Sequence, residues 1–194
     1  SQSASLTAFC MPVPTSFLVL VPHQEAPTAI GWGDRNRSVL VRVPLGWQNI
    51  DDSMFRDANP AEPAIDELPN DSQTVELRSP DGSAAVHLLL AGIAVAARIG
   101  LTEPGMADYA RERKVDGDAS QTPDLDQLPG SCFEAAGRLL TQREDYEAKG
   151  VFPAGLIDSW ASRLVAPGDV HLRDDLADSP ISVEELVERY FHIG

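Results

Sequence analysis

The sequence has 194 residues, 43% of them hydrophobic and 23% charged, which is enough to fold around a buried core. Its formal net charge of −15, from 30 acidic and 15 basic side chains, argues against binding to nucleic acids or anionic membranes. Cys10 and Cys132 form neither a CxxC pair nor a disulfide framework. These features predict one unit in a reducing cytoplasm, with no signal peptide and no membrane span.

The first third of the chain predicts short strands. Residues 6–21 are apolar but interrupted by Pro12 and Pro14, which predicts an irregular segment leading into a short strand. Residues 39–43 are β-branched and continuous, and residues 73–78 form a second strand that stops at the turn 79–82.

An acidic, proline-containing stretch, 46–72, separates the two predicted strands. It is too long for an ordinary hairpin connection, so it predicts a surface insertion.

Helices are predicted for the rest of the chain. Asp81 or Ser83 can cap a helix that runs to Gly100 and is apolar enough to be buried on most faces. A shorter amphipathic helix follows at 103–114, and a polar loop at 115–130.

Three more predictions concern helix ends. Ser131 and Glu134 have capping-box spacing before a helix at 135–143. Pro153 can begin a helix that ends near Leu164. Ser182 with Glu185 repeats the capping box, Ile181 with Leu186 can form a hydrophobic staple, and this last helix is expected to end near Phe191.

Strands followed by a run of helices predict an α+β fold. The expected organisation is a strand-rich segment, 1–81, that contains the insertion, and a helical segment, 82–194.

Glu76 and Arg78 lie two residues apart in a predicted strand, so their side chains leave the same face, together with Thr74. Val75 and Leu77 point to the other face. A carboxylate beside a guanidinium can bind a divalent cation and an anionic substrate. The alternative is an ordinary surface ion pair.

A second candidate site contains three arginines, Arg35, Arg37 and Arg42, in a chain with few basic residues. Guanidinium groups suit phosphate and carboxylate oxygens, so the patch can be a phosphate site or simply structural. Strict alternation places Arg37 and Arg42 on opposite sheet faces, unless Arg37 precedes the regular strand or a bulge intervenes.

Other motifs are sparse. Glu25, before Ala26 and Pro27, lies in a loop from which it could reach over a pocket, although a lone loop glutamate is usually solvated. Histidines 23, 87, 171 and 192 have no metal-binding spacing. The chain contains no GxxxxGK[ST], GxGxxG or GxSxG motif.

Several segments, taken in order, resemble the glutamine synthetase family. They are Leu6-Thr7-Ala8-Phe9 through Leu20-Val21-Pro22, Glu25-Ala26-Pro27, Arg35-Asn36-Arg37-Ser38, Val41-Arg42-Val43-Pro44 and Val75-Glu76-Leu77-Arg78-Ser79-Pro80-Asp81. Gly150-Val151-Phe152, Ser179-Pro180 through Glu184, and Tyr190-Phe191 resemble the C-terminal end of that family. The resemblance covers nearly the whole chain.

The resemblance implies the C-terminal part of a catalytic domain, with antiparallel strands in an incomplete sheet followed by packed helices. It implies a cytoplasmic, oligomeric ligase of nitrogen metabolism that joins glutamate and ammonia with ATP and Mg or Mn, through γ-glutamyl phosphate.

The resemblance also assigns roles to five residues. Glu25 matches a glutamate that closes the site and helps to deprotonate ammonium, and Arg37 matches an arginine that stabilises the transferring phosphoryl group. Arg42 faces the nucleotide phosphates, Glu76 is a metal ligand, and Arg78 contacts substrate.

The chain departs from the family in two respects. The family's Asn-Ser-Tyr-Lys-Arg is replaced by 15–19, so Val19 stands where an arginine grips the glutamate carboxylate. Losing that contact should cost about 1.5–3 kcal/mol of binding. The family's other metal ligands and its N-terminal domain lie upstream of the region seen here, and neighbouring subunits complete each pocket.

We therefore expect this chain to be inactive alone. The alternatives are a degenerate remnant that binds a nucleotide or a protein, a purely structural piece that self-associates, and a γ-glutamyl ligase that uses another amine.

Overall fold

The computed structural model describes residues 2–21, 26–44, 57–61 and 74–192. Glu25 and most of the predicted insertion 46–72 lie outside the described residues.

Helices make up most of the described structure. In chain order the α-helices are α1 (Gln2–Cys10), α2 (Val86–Thr102), α3 (Met106–Glu112), α4 (Cys132–Thr141), α5 (Arg143–Glu147), α6 (Leu156–Val165), α7 (Leu172–Asp178) and α8 (Pro180–Tyr190). Short 3-10 helices cover Pro14–Val19, Ala119–Gln121 and Ala148–Gly150.

The described strands form one small sheet in the order β1 (Trp32–Asp34), β2 (Val41–Val43), β3 (Glu76–Leu77). β2 and β3 are antiparallel, whereas β1 and β2 are parallel, with Trp32 beside Val41. The mixed α+β class is confirmed. The expectation of antiparallel strands holds for only one of these two pairings, because the chain loops back after Asp34 and enters β2 beside the start of β1.

The main core lies among α1, α2, α4 and α6. At its centre the Phe9 ring stacks on Phe152 (centroids 5.5 Å apart), and Tyr146 meets both rings edge-on. The Tyr146 hydroxyl is 2.6 Å from the Ser5 hydroxyl, so the buried phenol keeps a polar partner. Such aromatic pairs add to the free energy of burial.

Helices α1 and α2 approach each other closely at Gly92. A Cβ atom at this position would lie 2.7 Å from Leu6 Cδ2 and 3.3 Å from a ring carbon of Phe9. A larger residue here would force the side chains of Leu6 and Phe9 to shift, so glycine allows the close approach of the two helices.

The prediction of an irregular segment at 6–21 was wrong, because most of this stretch is helical. Helix α1 is buried nearly all round, so its sequence shows no amphipathic period. Pro12 and Pro14 do not interrupt a helix: α1 ends at Cys10, and Pro14 opens the following 3-10 helix.

Helix α2 was predicted in kind, but both ends differ. Asp81 Oδ1 accepts hydrogen bonds from the backbone N–H and the hydroxyl of Ser83 and closes a turn. The helix starts at Val86, three residues after Ser83, and has no side-chain cap. It passes Gly100 and ends at Thr102, since Glu103 is extended before Pro104.

Helix α2 is also buried on one face only. Leu89, Gly92, Val95 and Ile99 are buried, whereas Val86, Leu90 and Leu101 are exposed. The expectation of burial on most faces was wrong, because an apolar helix is covered only where a neighbour packs against it.

The later helices give mixed outcomes. The Ser131 hydroxyl accepts from Glu134 N (3.1 Å), which confirms this cap, and Glu134 in turn accepts from Gly130 N (2.9 Å). Helix α6 begins at Leu156, after Gly155 in the left-handed region (φ 82°), three residues beyond Pro153.

The second predicted capping box was wrong. Helix α8 begins at Pro180 and ends at Tyr190, so Ser182 lies inside the helix. Pro180 has no amide hydrogen to satisfy, which makes it well suited to the first helical position.

Candidate functional site

The pairing of β2 with β3 brings the candidate residues together. Arg42 lies directly opposite Glu76 in the register, and its Nη2 donates to Glu76 Oε2. Arg78 Nε lies 3.3 Å from Glu76 Oε1. The carboxylate of Glu76 thus bridges two guanidinium groups on one face of the sheet, which we call the Arg42–Glu76–Arg78 cluster.

The cluster is partly buried and has unused hydrogen-bond donors. The side chains of Arg42 and Arg78 are 21% and 13% exposed, and that of Glu76 is 37% exposed. Arg42 Nε and Arg78 Nη1 are buried and have no acceptor within the described part of the chain. Two guanidinium groups against one carboxylate leave one excess positive charge, so the cluster is suited to an anion.

Arg37 lies in the turn between β1 and β2, and Asn36 fixes this turn. The Asn36 amide donates to the carbonyls of Val115 (3.1 Å) and Gly117 (2.7 Å), and its oxygen accepts from Ser38. Arg37 is exposed, and it precedes the first residue of β2 by four positions. The alternation rule therefore does not apply to it.

Asn36 and Ser38 are structural residues of the arginine motif that were not singled out in the sequence. The hydroxyl of Ser38 accepts from Ala119 N (2.8 Å), which ties the turn to the loop before α4. Arg35 has a positive φ of 57°. A non-glycine residue with positive φ beside an asparagine is typical of a tight turn, but the distant partners at 115–119 could not be inferred from spacing.

Position 19 lies at the end of the 3-10 helix, and the Val19 side chain is 57% exposed. Arg173, far away in the sequence, donates from Nη2 to the carbonyls of Phe17 (3.0 Å) and Leu20 (3.4 Å). A guanidinium group thus lies near position 19, although no sequence signal links residue 173 to this segment.

The described residues do not form a complete binding site for a divalent cation. They contain no cluster of three or more histidine, cysteine, aspartate or glutamate side chains suited to a metal ion. Both oxygens of Glu76 contact arginines. Oxygen-rich cation sites need about six ligands, so this carboxylate alone does not hold Mg or Mn.

Cavities among the described residues lie elsewhere. One of about 430 Å³ is lined mainly by apolar and aromatic side chains, including Trp32, Val43 and Tyr109. Another of about 290 Å³ is lined by residues that include Gln127 and Arg138. Neither is lined by residues of the Arg42–Glu76–Arg78 cluster.

The two cysteines are not poised for nucleophilic chemistry. Burial raises the pKa of the Cys10 thiol to about 11, and burial also raises the pKa of Cys132. Both are free and buried.

Among the described residues, no individual helix has the length and hydropathy needed to cross a membrane. Helices α2 and α3 meet those criteria only when taken together, and they are bent by 105° where they join.

Comparison with known proteins identifies the family. A family model described as the glutamine synthetase catalytic domain matches residues 1–163. The chain belongs to the glutamine synthetase family. It is 32% identical over 201 residues to a glutamine synthetase of Pyrococcus abyssi, covering 99% of this chain and 40% of that protein. A Thermococcus kodakarensis glutamine synthetase is 30% identical over 99% of the chain, and one of Salmonella typhimurium is 27% identical over 82%.

This glutamine synthetase relative spans about 40% of the length of the Pyrococcus and Thermococcus proteins. The family match confirms the resemblance that the sequence motifs predicted. The individual roles of Glu25, Arg37, Arg42, Glu76 and Arg78 stay predictions.

Proposed function

We propose that this chain is the C-terminal portion of a glutamate–ammonia ligase that forms glutamine through γ-glutamyl phosphate, with ATP as the phosphoryl donor. The main support is the Arg42–Glu76–Arg78 cluster, which gathers two guanidinium groups in a chain of net charge −15. Such a local reversal of charge is useful where an anionic ligand must be held.

The proposed chemistry needs fixed positive charge. Transfer of a phosphoryl group places negative charge on oxygens that guanidinium groups can stabilise without reorganising. Arg42 would contact the nucleotide phosphates with its unused Nε, and Arg37 would stabilise the group in transfer. Arg78, held by Glu76, would contact substrate.

Two roles depend on parts beyond this chain's described residues. Glu25 would close the site and help to deprotonate ammonium. Glu76 would contribute one oxygen to a Mg or Mn ion whose other ligands come from the missing portion or neighbouring subunits of a homo-oligomer. When bound, the ion would neutralise phosphate charge. The chain alone is expected to be inactive.

The test is reconstitution. The chain is co-expressed with the N-terminal portion of a relative such as the Pyrococcus abyssi protein, and γ-glutamyl transfer is assayed. Arg42→Gln should lower kcat about 10²–10³-fold, whereas Arg111→Gln, an exposed arginine paired with Asp108 on α3, should leave it unchanged. Equal rates for the two variants in an active assembly would contradict the role of Arg42.

Position 19 tests the identity of the substrate. In an active assembly, Val19→Arg should improve glutamate affinity about 10–100-fold, because a charge-assisted contact with a carboxylate is restored. The side chain is exposed, so the larger residue is accommodated. An unchanged affinity would reject the assignment of position 19 and favour a ligase that binds another substrate.

A non-catalytic remnant is the second candidate, and Val19 together with the incomplete metal ligand set favours it. Calorimetry separates the two candidates: tight, metal-dependent ATP binding by the chain without any rescue of transfer activity would support the remnant.

A further inference from the structure

The segment between α6 and α8 carries two opposite charges that bind two different helix ends. Asp169 precedes α7, and Arg173 lies in its first turn. Both lie beyond residue 163, where the family match ends.

Asp169 caps the N-terminus of α4. Asp169 is almost fully buried (6% exposed), and its carboxylate accepts from the backbone N–H of Cys132 (2.7 Å) and of Phe133 (3.2 Å). The first amides of a helix have no acceptor within it, and the helix dipole is positive at this end. A buried carboxylate satisfies both requirements.

Arg173 caps the opposite kind of end. Its Nη2 donates to Phe17 O (3.0 Å) and Leu20 O (3.4 Å) at the C-terminus of the 3-10 helix Pro14–Val19. Carbonyls at this end lack partners and carry partial negative charge, so a cation is favoured. Phe17 O also accepts from Leu20 N (3.2 Å). The same carbonyl oxygen therefore has one hydrogen bond within the 3-10 helix and one to Arg173.

We propose that Asp169 and Arg173 form a charge clamp that couples the 3-10 helix to α4. The two residues are four apart and belong to one continuous turn, in which Leu172 N donates to Asp169 O (3.2 Å). We expect loss of either charge to weaken both the contact of Asp169 with α4 and the contact of Arg173 with the 3-10 helix, because residues 169–173 are held by both contacts. The C-terminal segment thereby sets the position of the 3-10 helix and of Val21, where the chain leaves it.

Hydrogen exchange of the 194-residue chain tests the clamp. Arg173→Gln should speed exchange of the Leu20 amide about fivefold, which corresponds to the loss of one partly exposed helix-end charge. Asp169→Asn should speed exchange of the Cys132 and Phe133 amides about tenfold, and also that of Leu20. Arg173→Lys, which keeps a cationic donor, should fall between wild type and Arg173→Gln.

Matched controls are available nearby. Arg111→Gln on α3 and Asp124→Asn in the loop before α4 make the same charge changes at exposed positions outside the two helices and should leave these amides unchanged. The clamp is overturned if Asp169→Asn leaves Leu20 unchanged, or if amides of α2 accelerate as much as Leu20. Should Asp169→Asn fail to fold, the reciprocal effect of Arg173→Gln on Cys132 and Phe133 decides, and its absence rejects the coupling.

Discussion

The helical core and the small sheet are stabilised in different ways. The core buries Phe9, Tyr146 and Phe152 against one another, with partners on several helices. The sheet has strands of two or three residues, an exposed Val75, and a charged cluster whose buried donors have no acceptor among the described residues. Sheets of this size need further packing for independent stability. We therefore expect the core to contribute more to the stability of this chain than the sheet, which carries the candidate site residues Arg42 and Glu76.

The largest effect should come from the core. Phe9→Ala removes a fully buried ring that contacts Tyr146, Phe152 and Trp160. We expect the free energy of unfolding to fall by about 3–5 kcal/mol in urea denaturation.

Val75→Ala, an apolar truncation in the sheet, is the control and should change the free energy of unfolding by less than about 0.5 kcal/mol. Similar losses for the two variants would remove the contrast between the regions.

Raising the pH should lower the free energy of unfolding by about 2–3 kcal/mol, because a buried group of the core titrates. The pKa of Cys10 rises from 9.0 to about 11 because burial disfavours the thiolate, so the folded chain holds this proton more tightly than the unfolded chain. The associated stability is fully present below pH 9.0 and is lost as pH rises through about 11.

Urea midpoints measured between these pH values check this prediction. Cys10→Ala should flatten the dependence in part, since burial also raises the pKa values of Cys132 and Tyr146. An unchanged slope in that variant would mean that Cys10 does not carry the effect.

The smallest effect should come from the charged cluster. Glu76→Gln removes the carboxylate between Arg42 and Arg78, yet the pair is partly exposed, so the free energy of unfolding should fall by less than about 1 kcal/mol. The measurement is again urea denaturation, with Glu103→Gln, an exposed glutamate outside the sheet, as control. A loss as large as that of Phe9→Ala would show that the sheet is part of the stable core.

Local sequence patterns were sufficient to predict features that depend on residues of a single helix or strand. The Ser131 cap, the helical nature of 86–102 and the shared face of Glu76 and Arg78 follow from spacing alone. Helix α1 could not be predicted, because a helix buried on all sides loses the periodicity that reveals helices. The exposure of one face of α2 could not be predicted either, because it depends on which helices pack against α2 in the folded chain.

Strand alternation predicted only the part of the candidate site that comes from one strand, and the structure supplied the rest. Alternation placed Glu76 beside Arg78, and pairing of β2 with β3 added Arg42. Asn36 anchors the turn between β1 and β2 to the carbonyls of Val115 and Gly117, which lie about eighty positions away in the sequence. Contacts of this range depend on the packed fold and leave no local pattern.

The two-sided character of α2 bears on how the chain behaves at high concentration. The exposed face of α2 carries an apolar strip formed by Val86, Leu90 and Leu101. The net charge of −15 produces electrostatic repulsion between neighbouring molecules. Acidification neutralises the carboxylates and removes this mutual repulsion before the strip itself changes. We therefore expect the solubility of the chain to be lowest near its isoelectric pH of about 4.5.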